Sequence, residues 1–296
     1  MSTQRNELQF IPVKRNDYYT QKNNTGLQKN TRQHQRKILA EKKKRQRQKK
    51  LRLLFTTGVC TVLFFGLCYI TNWFTEIPFL SQSAKLEHLK AQGDCPDDLL
   101  ELLEKNEETY DFVKNYSERE KYIGKSIDLS KDCKEGNVPL LMQWDKRWGY
   151  DLYGDSMIAL SGCGPTCMTM AYLYFTGDTA MNPRKMAEYA QESGYHSQEG
   201  TSWLFWTEGA SKLGLYGTEL SLDENVMKSV LDNNGLIVCS MSPGDFTDGG
   251  HYILVCGYDE NGFFVNDPNR KSNSDKQWDF DTLQKQMKNL WSLEAH

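Results

Sequence analysis

No glycine-rich phosphate loop, no G-x-G-x-x-G turn and no H-E-x-x-H pair occurs in this sequence, so nucleotide and zincin chemistry have no motif to rest on. No unit repeats at about 20 to 50 residues, which excludes solenoids and propellers. Cysteine is sparse, eight in 296 residues. Cys60 and Cys68 fall in an apolar run, and the six that remain are too few for a disulfide scaffold. C-x-x-C pairs are missing too. Histidine is scarcer still, with five, a shortage that narrows any search for a general base.

Charge of one sign is missing from each end of the chain. Residues 1–52 carry 16 Lys/Arg against 3 Asp/Glu, whereas residues 53–296 carry 20 against 36. The net charge of −3 therefore hides a basic arm of +13 and an acidic remainder of −16. Between them, Leu53 to Thr75 has no charged side chain over 23 residues, long enough for a helix to cross a hydrocarbon core of about 30 Å. A cleaved signal peptide is the rival reading. Against it stand the long basic stretch, the long apolar run and the lack of an A-x-A site. Lys42-Lys43-Lys44-Arg45 and the basic residues up to Arg52 hold the N-terminal side in the cytoplasm, so everything after Thr75 is expected outside the cell membrane, in a single-pass protein. The arm is polar and rich in Gln and Asn, a composition expected to be disordered. Such an arm is able to bind nucleic acid through phosphates, but beside a span topology and anionic lipid explain it, and no nucleic-acid partner is expected.

Residues 76–137 are expected to form a helical stalk or lead-in. Pro96 to Lys105 opens with Pro and two Asp, the chemistry of a helix start, and a second helix is expected from Glu107 to Tyr116 behind Asn106 as cap. Cys95 and Cys133 flank this segment, and a disulfide between them is expected. From Val138 the pattern becomes helices first and strands later. Helices are expected over Gly164–Phe175, Pro183–Ser193 and Trp203–Leu213, and another behind a Ser221-x-x-Glu224 capping box. Strands follow at Leu236–Met241, Tyr252–Tyr258 and Gly262–Asn266, the last two joined by an Asp259-Glu260-Asn261-Gly262 turn. The expected class is α+β, a helical face packed on a mainly antiparallel sheet.

Ser161-Gly162-Cys163-Gly164-Pro165-Thr166-Cys167 places a cysteine at the positive end of a helix, where a thiolate is stabilised. Flanking glycines would let a substrate backbone approach. The plain alternative is a small buried cysteine. A cysteine nucleophile needs a base. His34 is on the arm, His88 in the stalk and His296 terminal, while His196 sits in a polar loop; His251, behind Gly249-Gly250 at the mouth of a strand, is the better candidate. Asp267, at the end of the next strand, is placed to orient that imidazole, although Asp-Pro is also an ordinary turn. Cys163, Cys167 and His251 would make three zinc ligands, but no fourth completes the usual set, so neither metal nor other cofactor is expected.

S-G-C-G-P-T at Ser161–Thr166, G-G-H-Y at Gly249–Tyr252 and N-D-P at Asn266–Pro268 resemble, in this order, the C39-like cysteine peptidase family. Q-W-D-x-R-W at Gln143–Trp148 and G-T-S-W at Gly200–Trp203 are similar to a variant of it found in bacterial surface proteins. The resemblance spans about Val138 to Ser292. It implies a papain-like fold over residues 138–296, with Cys163 as nucleophile, His251 as base and Asp267 as orienting acid. Exporter-linked members carry an oxyanion-hole Gln shortly before the Cys. Met157–Gly162 contains none here, and Gln143 is the possible substitute. The expected partner is a peptide or protein substrate. Cell-wall peptide hydrolysis and a non-catalytic binding module on the same fold are the alternatives.

The proposed topology has a direct test. Protease added to intact cells should degrade everything after Thr75 that it can reach, and full protection of the C-terminal region would overturn it.

Overall fold

The computed structural model describes residues 81–198 and 200–296; the basic arm and the Leu53–Thr75 stretch lie outside the described residues. Among the described residues no helix is long and apolar enough to cross a membrane. The described residues form one unit.

Helix α1 (Gln82–Gln92) is capped by the Ser81 side chain and closed by Gly93 at φ 73°, a left-handed cap that glycine adopts without a Cβ penalty. Helix α2 (Asp97–Lys105) starts behind Pro96 and puts Leu99, Leu100 and Leu103 on its buried side. A 3-10 turn (Glu107–Thr109) and helix α3 (Tyr110–Lys114) follow, then a second 3-10 turn at Tyr116–Lys121. These elements form a small apolar cluster with Tyr150 and Ala159, in which Phe112 stacks on Tyr150 at 4.2 Å and the Tyr150 hydroxyl donates to Phe112 O at 2.6 Å. The lead-in is thus packed into the body of the fold.

A tight hairpin, β1 (Leu152–Tyr153) with β2 (Ser156–Met157), runs into helix α4 (Ile158–Ser161) and then α5 (Cys163–Thr176). Helix α5 is buried nearly all round, which is why its sequence lacks a polar stripe. Helix α6 (Pro183–Glu192) packs beside it, its start capped by Asn182. A second tight hairpin, β3 (His196–Ser197) with β4 (Gly200–Thr201), leads to a 3-10 turn at Trp203–Trp206 and helix α7 (Glu208–Lys212). Strand β5 (Leu215–Glu219) and helix α8 (Glu224–Asp232) come next. The remainder is β6 (Leu236–Met241), β7 (His251–Asp259), β8 (Gly262–Asn266), α9 (Lys271–Ser274), β9 (Gln277–Trp278), α10 (Phe280–Gln284) and β10 (Met287–Ala295).

The main sheet has six strands in the order β5-β10-β6-β7-β8-β9, with every pairing antiparallel. Side chains alternate between its faces. Leu236, Val238, Tyr252 and Leu254 join the cluster under α5 and α6. Ile237, Cys239, Ile253 and Val255 join a second cluster with Met227 of α8 and Leu283 of α10. Both faces are covered, so β6 and the start of β7 read as unbroken apolar runs.

The α+β class and the three expected strands are present, with differences around them. Trp203–Leu213 is a 3-10 turn plus a short helix, because the chain must turn into β5. Asp223 caps α8 in place of the Ser221 box; its carboxylate accepts from Asn225 N and Val226 N. Strands β5 and β10, like the short β1–β4 and β9, have no counterpart in the sequence pattern.

Cys95 and Cys133 are free thiols, contrary to the expected bridge. They belong to different apolar clusters, Cys95 with the lead-in and Cys133 with the main core. Burial, then the charge of Asp97, pushes the Cys95 thiol up to about 11. Without reductant, both should be alkylated by iodoacetamide once denaturant loosens the fold. A bridged peptide surviving that treatment in non-reducing mapping would overturn the assignment.

Candidate active site

Helix α5 begins directly at Cys163, one residue earlier than the pattern indicated, after Gly162. Cys163 is therefore the first helical residue, where backbone N–H groups have no intrahelical acceptor. Thr166 closes the turn, its N–H donating to Gly162 O at 3.0 Å and its hydroxyl at 2.7 Å. The flanking glycines answer to packing: a Cβ on Gly162 would lie 2.5 Å from Ile158 Cγ2, and one on Gly164 would lie 2.4 Å from Thr201 Oγ1. Close approach is required here by the protein itself.

Strand β7 starts at His251. Its Nε2 meets Asp267 Oδ1 at 2.8 Å, and Cys163 is near enough to act on the charge of the same imidazole. With Nε2 engaged by the carboxylate, Nδ1 is the ring nitrogen that remains clear of it. Asp267 is wholly buried and His251 nearly so. Burial disfavours the imidazolium, but the Asp267 charge and hydrogen bond, with Cys163 adding to them, outweigh it and raise His251 to about 10. For Asp267, burial opposes the charged form; the His251 charge, with hydrogen bonds from His251, Asn273 and Asn269, overrides it and holds the carboxyl below its usual range. Oδ1 also accepts from Asn269 N at 2.8 Å and Arg270 N at 3.2 Å. Oδ2 accepts from Asn273 Nδ2 at 2.7 Å.

Gln143 is buried. Its backbone N–H donates to Pro268 O at 2.7 Å, next to Asp267, and its side-chain Nε2 donates to Ala159 O at 2.8 Å. This bond fixes which end of the carboxamide faces α4, since a flipped amide would turn oxygen onto oxygen. The rest of the Q-W-D-x-R-W stretch holds the residue in place. Arg147 lies between Asp132 at 2.7 Å and Asp145 at 2.8 Å, over the Trp148 ring at 4.5 Å.

Several neighbours are given no role by the sequence, although Thr201 and Tyr252 fall within the G-T-S-W and G-G-H-Y stretches. The Tyr153 hydroxyl bonds Thr201 Oγ1 at 2.9 Å and Tyr252 OH donates to Thr201 O at 2.9 Å, tying both tight hairpins to the strand of His251. Burial pushes Tyr252 up to about 12. Asn273, the donor to Asp267, sits in a polar stretch with nothing to distinguish it. His196 packs edge-on to Tyr153 at 4.3 Å. Among the described residues no group of three or more His, Cys, Asp or Glu is gathered as metal ligands would be.

The pair carries a pH signature. His251, raised when folded, stabilises fully below the ordinary histidine pKa and loses that contribution as pH climbs toward about 10. Asp267, depressed when folded, stabilises above the ordinary carboxylate pKa and loses it as acid protonates the fold. The stability margin of the wild type over Asp267→Asn should thus be greatest between about pH 4 and 6.5 and shrink as pH rises to 10. Thermal melts across that range check it, and a margin that grows with pH would contradict the pairing.

Seen beside known proteins, the chain matches the model of the Peptidase_C39 like family over residues 135–294. Among solved structures, the peptidase domain of Streptococcus ComA, a bifunctional ABC transporter involved in a quorum-sensing pathway, is similar at 19% identity. That match covers 46% of this chain and 93% of that one, with a TM-score of 0.37. A protein described as a C39-like peptidase from Bacillus anthracis is similar at 15% identity over 54% of this chain and 96% of that one, TM-score 0.33. No curated protein matches. With more than half of its length matched, the chain belongs to the Peptidase_C39-like family.

Proposed function

We propose that this protein is a membrane-anchored, extracytoplasmic cysteine peptidase that works through Cys163, His251 and Asp267. The observation that carries the reading is the buried His251–Asp267 pair facing a cysteine at the first position of a helix. Anchoring is supported by the uncharged Leu53–Thr75 run behind a basic cluster.

The sulfur of Cys163 attacks the carbonyl carbon of the scissile bond after its proton has passed to His251. Backbone N–H groups at the start of α5 donate to the developing oxyanion. Gln143 Nε2 keeps a second hydrogen beyond the one given to Ala159 O, and this is its part in the same hole. The tetrahedral intermediate collapses as His251 returns the proton to the leaving amine, forming a thioester. A water molecule then gives its proton to His251 and its hydroxyl to the acyl carbon. The C–S bond breaks, the acid leaves, and the proton goes back to sulfur. Asp267 stays ionised throughout, holding the imidazole and stabilising its cationic form.

Cys163→Ala should abolish hydrolysis of a quenched fluorescent peptide library while leaving the thermal melt unchanged. Limiting iodoacetamide at neutral pH should label Cys163 first, and His251→Ala should slow that labelling. Cys167, Cys239 and Cys256 are each pushed up by burial and should label later. Cys167→Ala should keep activity at a packing cost of about 1 kcal/mol. Hydrolysis by the Cys163→Ala protein, or first labelling at Cys167, would remove the nucleophile from this mechanism.

A further inference from the structure

The lead-in helices fall outside the stretch matched by the family model, which begins at residue 135. They nevertheless hold the loop that carries Asp267. Asn106 is almost wholly buried, unusual for a polar residue unless its groups are paired. Its Oδ1 accepts from Glu108 N at 3.1 Å, as a cap would, while its Nδ2 donates across 163 positions to Asn269 O at 2.6 Å. Trp144 Nε1 donates to the same carbonyl at 2.6 Å. The Glu108 carboxylate takes two backbone N–H groups, Lys271 at 2.7 Å and Ser272 at 3.0 Å, and so fixes the first turn of α9. Arg270 in return donates to Lys105 O at 2.6 Å.

The held residues are interleaved with those that hold Asp267. Asn269 and Arg270 present their N–H groups to its Oδ1, Asn273 donates to its Oδ2, and the Ser274 hydroxyl accepts from its backbone N–H at 2.9 Å. Lead-in contacts at 269, 270, 271 and 272 therefore coincide with the donors at 269 and 270 and adjoin the one at 273. We propose that Asn106 and Glu108 are positioning residues, acting through the 269–274 loop to hold Asp267 against His251, so that the lead-in is a working part of the peptidase. This rests on the catalytic reading above. Neither residue touches the reacting atoms. Their effect is geometric, and a displacement of about 1 Å at an orienting group is enough to cost rate on the order of 10- to 100-fold.

The test uses the full chain in detergent, with the quenched peptide library as substrate and iodoacetamide labelling of Cys163 across pH as a second readout. The groups facing the imidazole are Asp267 and Cys163, so loosening Asp267 lets His251 lose its proton at lower pH. Asn106→Ala and Glu108→Ala should each lower kcat about tenfold, with KM changed by less than roughly twofold. The alkaline limb of activity should move to lower pH with them. Asn106→Asp keeps an oxygen to cap Glu108 N but loses the donor to Asn269, and it should behave like Asn106→Ala. Gln82→Ala, which removes two bonds made wholly within the lead-in, to Leu103 O and Glu104 O, should behave as wild type. Glu108 is half-exposed, so its variant keeps the test open if burial of Asn106 makes its variants unfold. The proposal is overturned if folded variants keep the wild-type kcat and alkaline limb, or if Asn106→Asp restores both. Failure of the catalytic reading itself shows separately, as hydrolysis retained by Cys163→Ala.

Discussion

A fully buried carboxylate must be compensated or it does not stay charged, and the site is organised around the one at Asp267. Moving such an ion out of water costs several kcal/mol even after relaxation. Here the cost is offset by the imidazole of His251 and by three further donors, Asn269 N, Arg270 N and Asn273 Nδ2. Each donor fixes a piece of backbone. The β7–β8 register, Leu254 opposite Asn266, brings the start of one strand to the end of the other, and the loop after β8 folds back to supply the remaining partners. A protonated Asp267 would lose its attraction to His251, and with it the charge that favours a protonated imidazole beside Cys163.

The other half of the site depends on packing. Helix α5 lies against β7, and the Cys167 thiol, one turn below Cys163, donates to Tyr252 O at 3.4 Å. The residue next to His251 is thereby tied to the helix that carries Cys163. Thr201 completes a triangle, touching the Gly164 position, the Tyr153 hydroxyl and the Tyr252 hydroxyl. Interiors packed this densely yield little to small changes. The separation between sulfur and imidazole is set by the core under α5 as much as by the site itself.

What could be read in advance was local. The apolar runs of β6 and β7, the helix entered at Cys163 and the turn before Gly262 are each announced within about ten residues of chain, and they lead to Cys163, His251 and Asp267. Strands β5 and β10 depend on each other across the sheet. Lys288, Asn289 and Glu294 interrupt β10, and Gly217 in β5 reads as a breaker. It is there because the Trp206 carbonyl lies where a Cβ would go, at 1.7 Å, the close backbone approach that glycine in a strand can mark. Asn106 was legible only as a cap. Its second bond, to Asn269, joins segments with no shared pattern, and the same distance hid the separate burial of Cys95 and Cys133.

Cysteine sits in two kinds of surroundings in one domain, and position alone separates them. Cys167 and Cys239 are enclosed by apolar side chains, where cysteine behaves as a small hydrophobe and a thiolate would face the full cost of burial. Cys256, only partly buried like Cys163, packs against the same core and is pushed up by desolvation. Cys163 is only partly buried, with a helix start behind it and an imidazole kept protonated by Asp267 in front. The chemistry that distinguishes it is therefore borrowed from its neighbours. Replacing those neighbours, with every cysteine left in place, would leave a folded core containing a fourth unremarkable thiol.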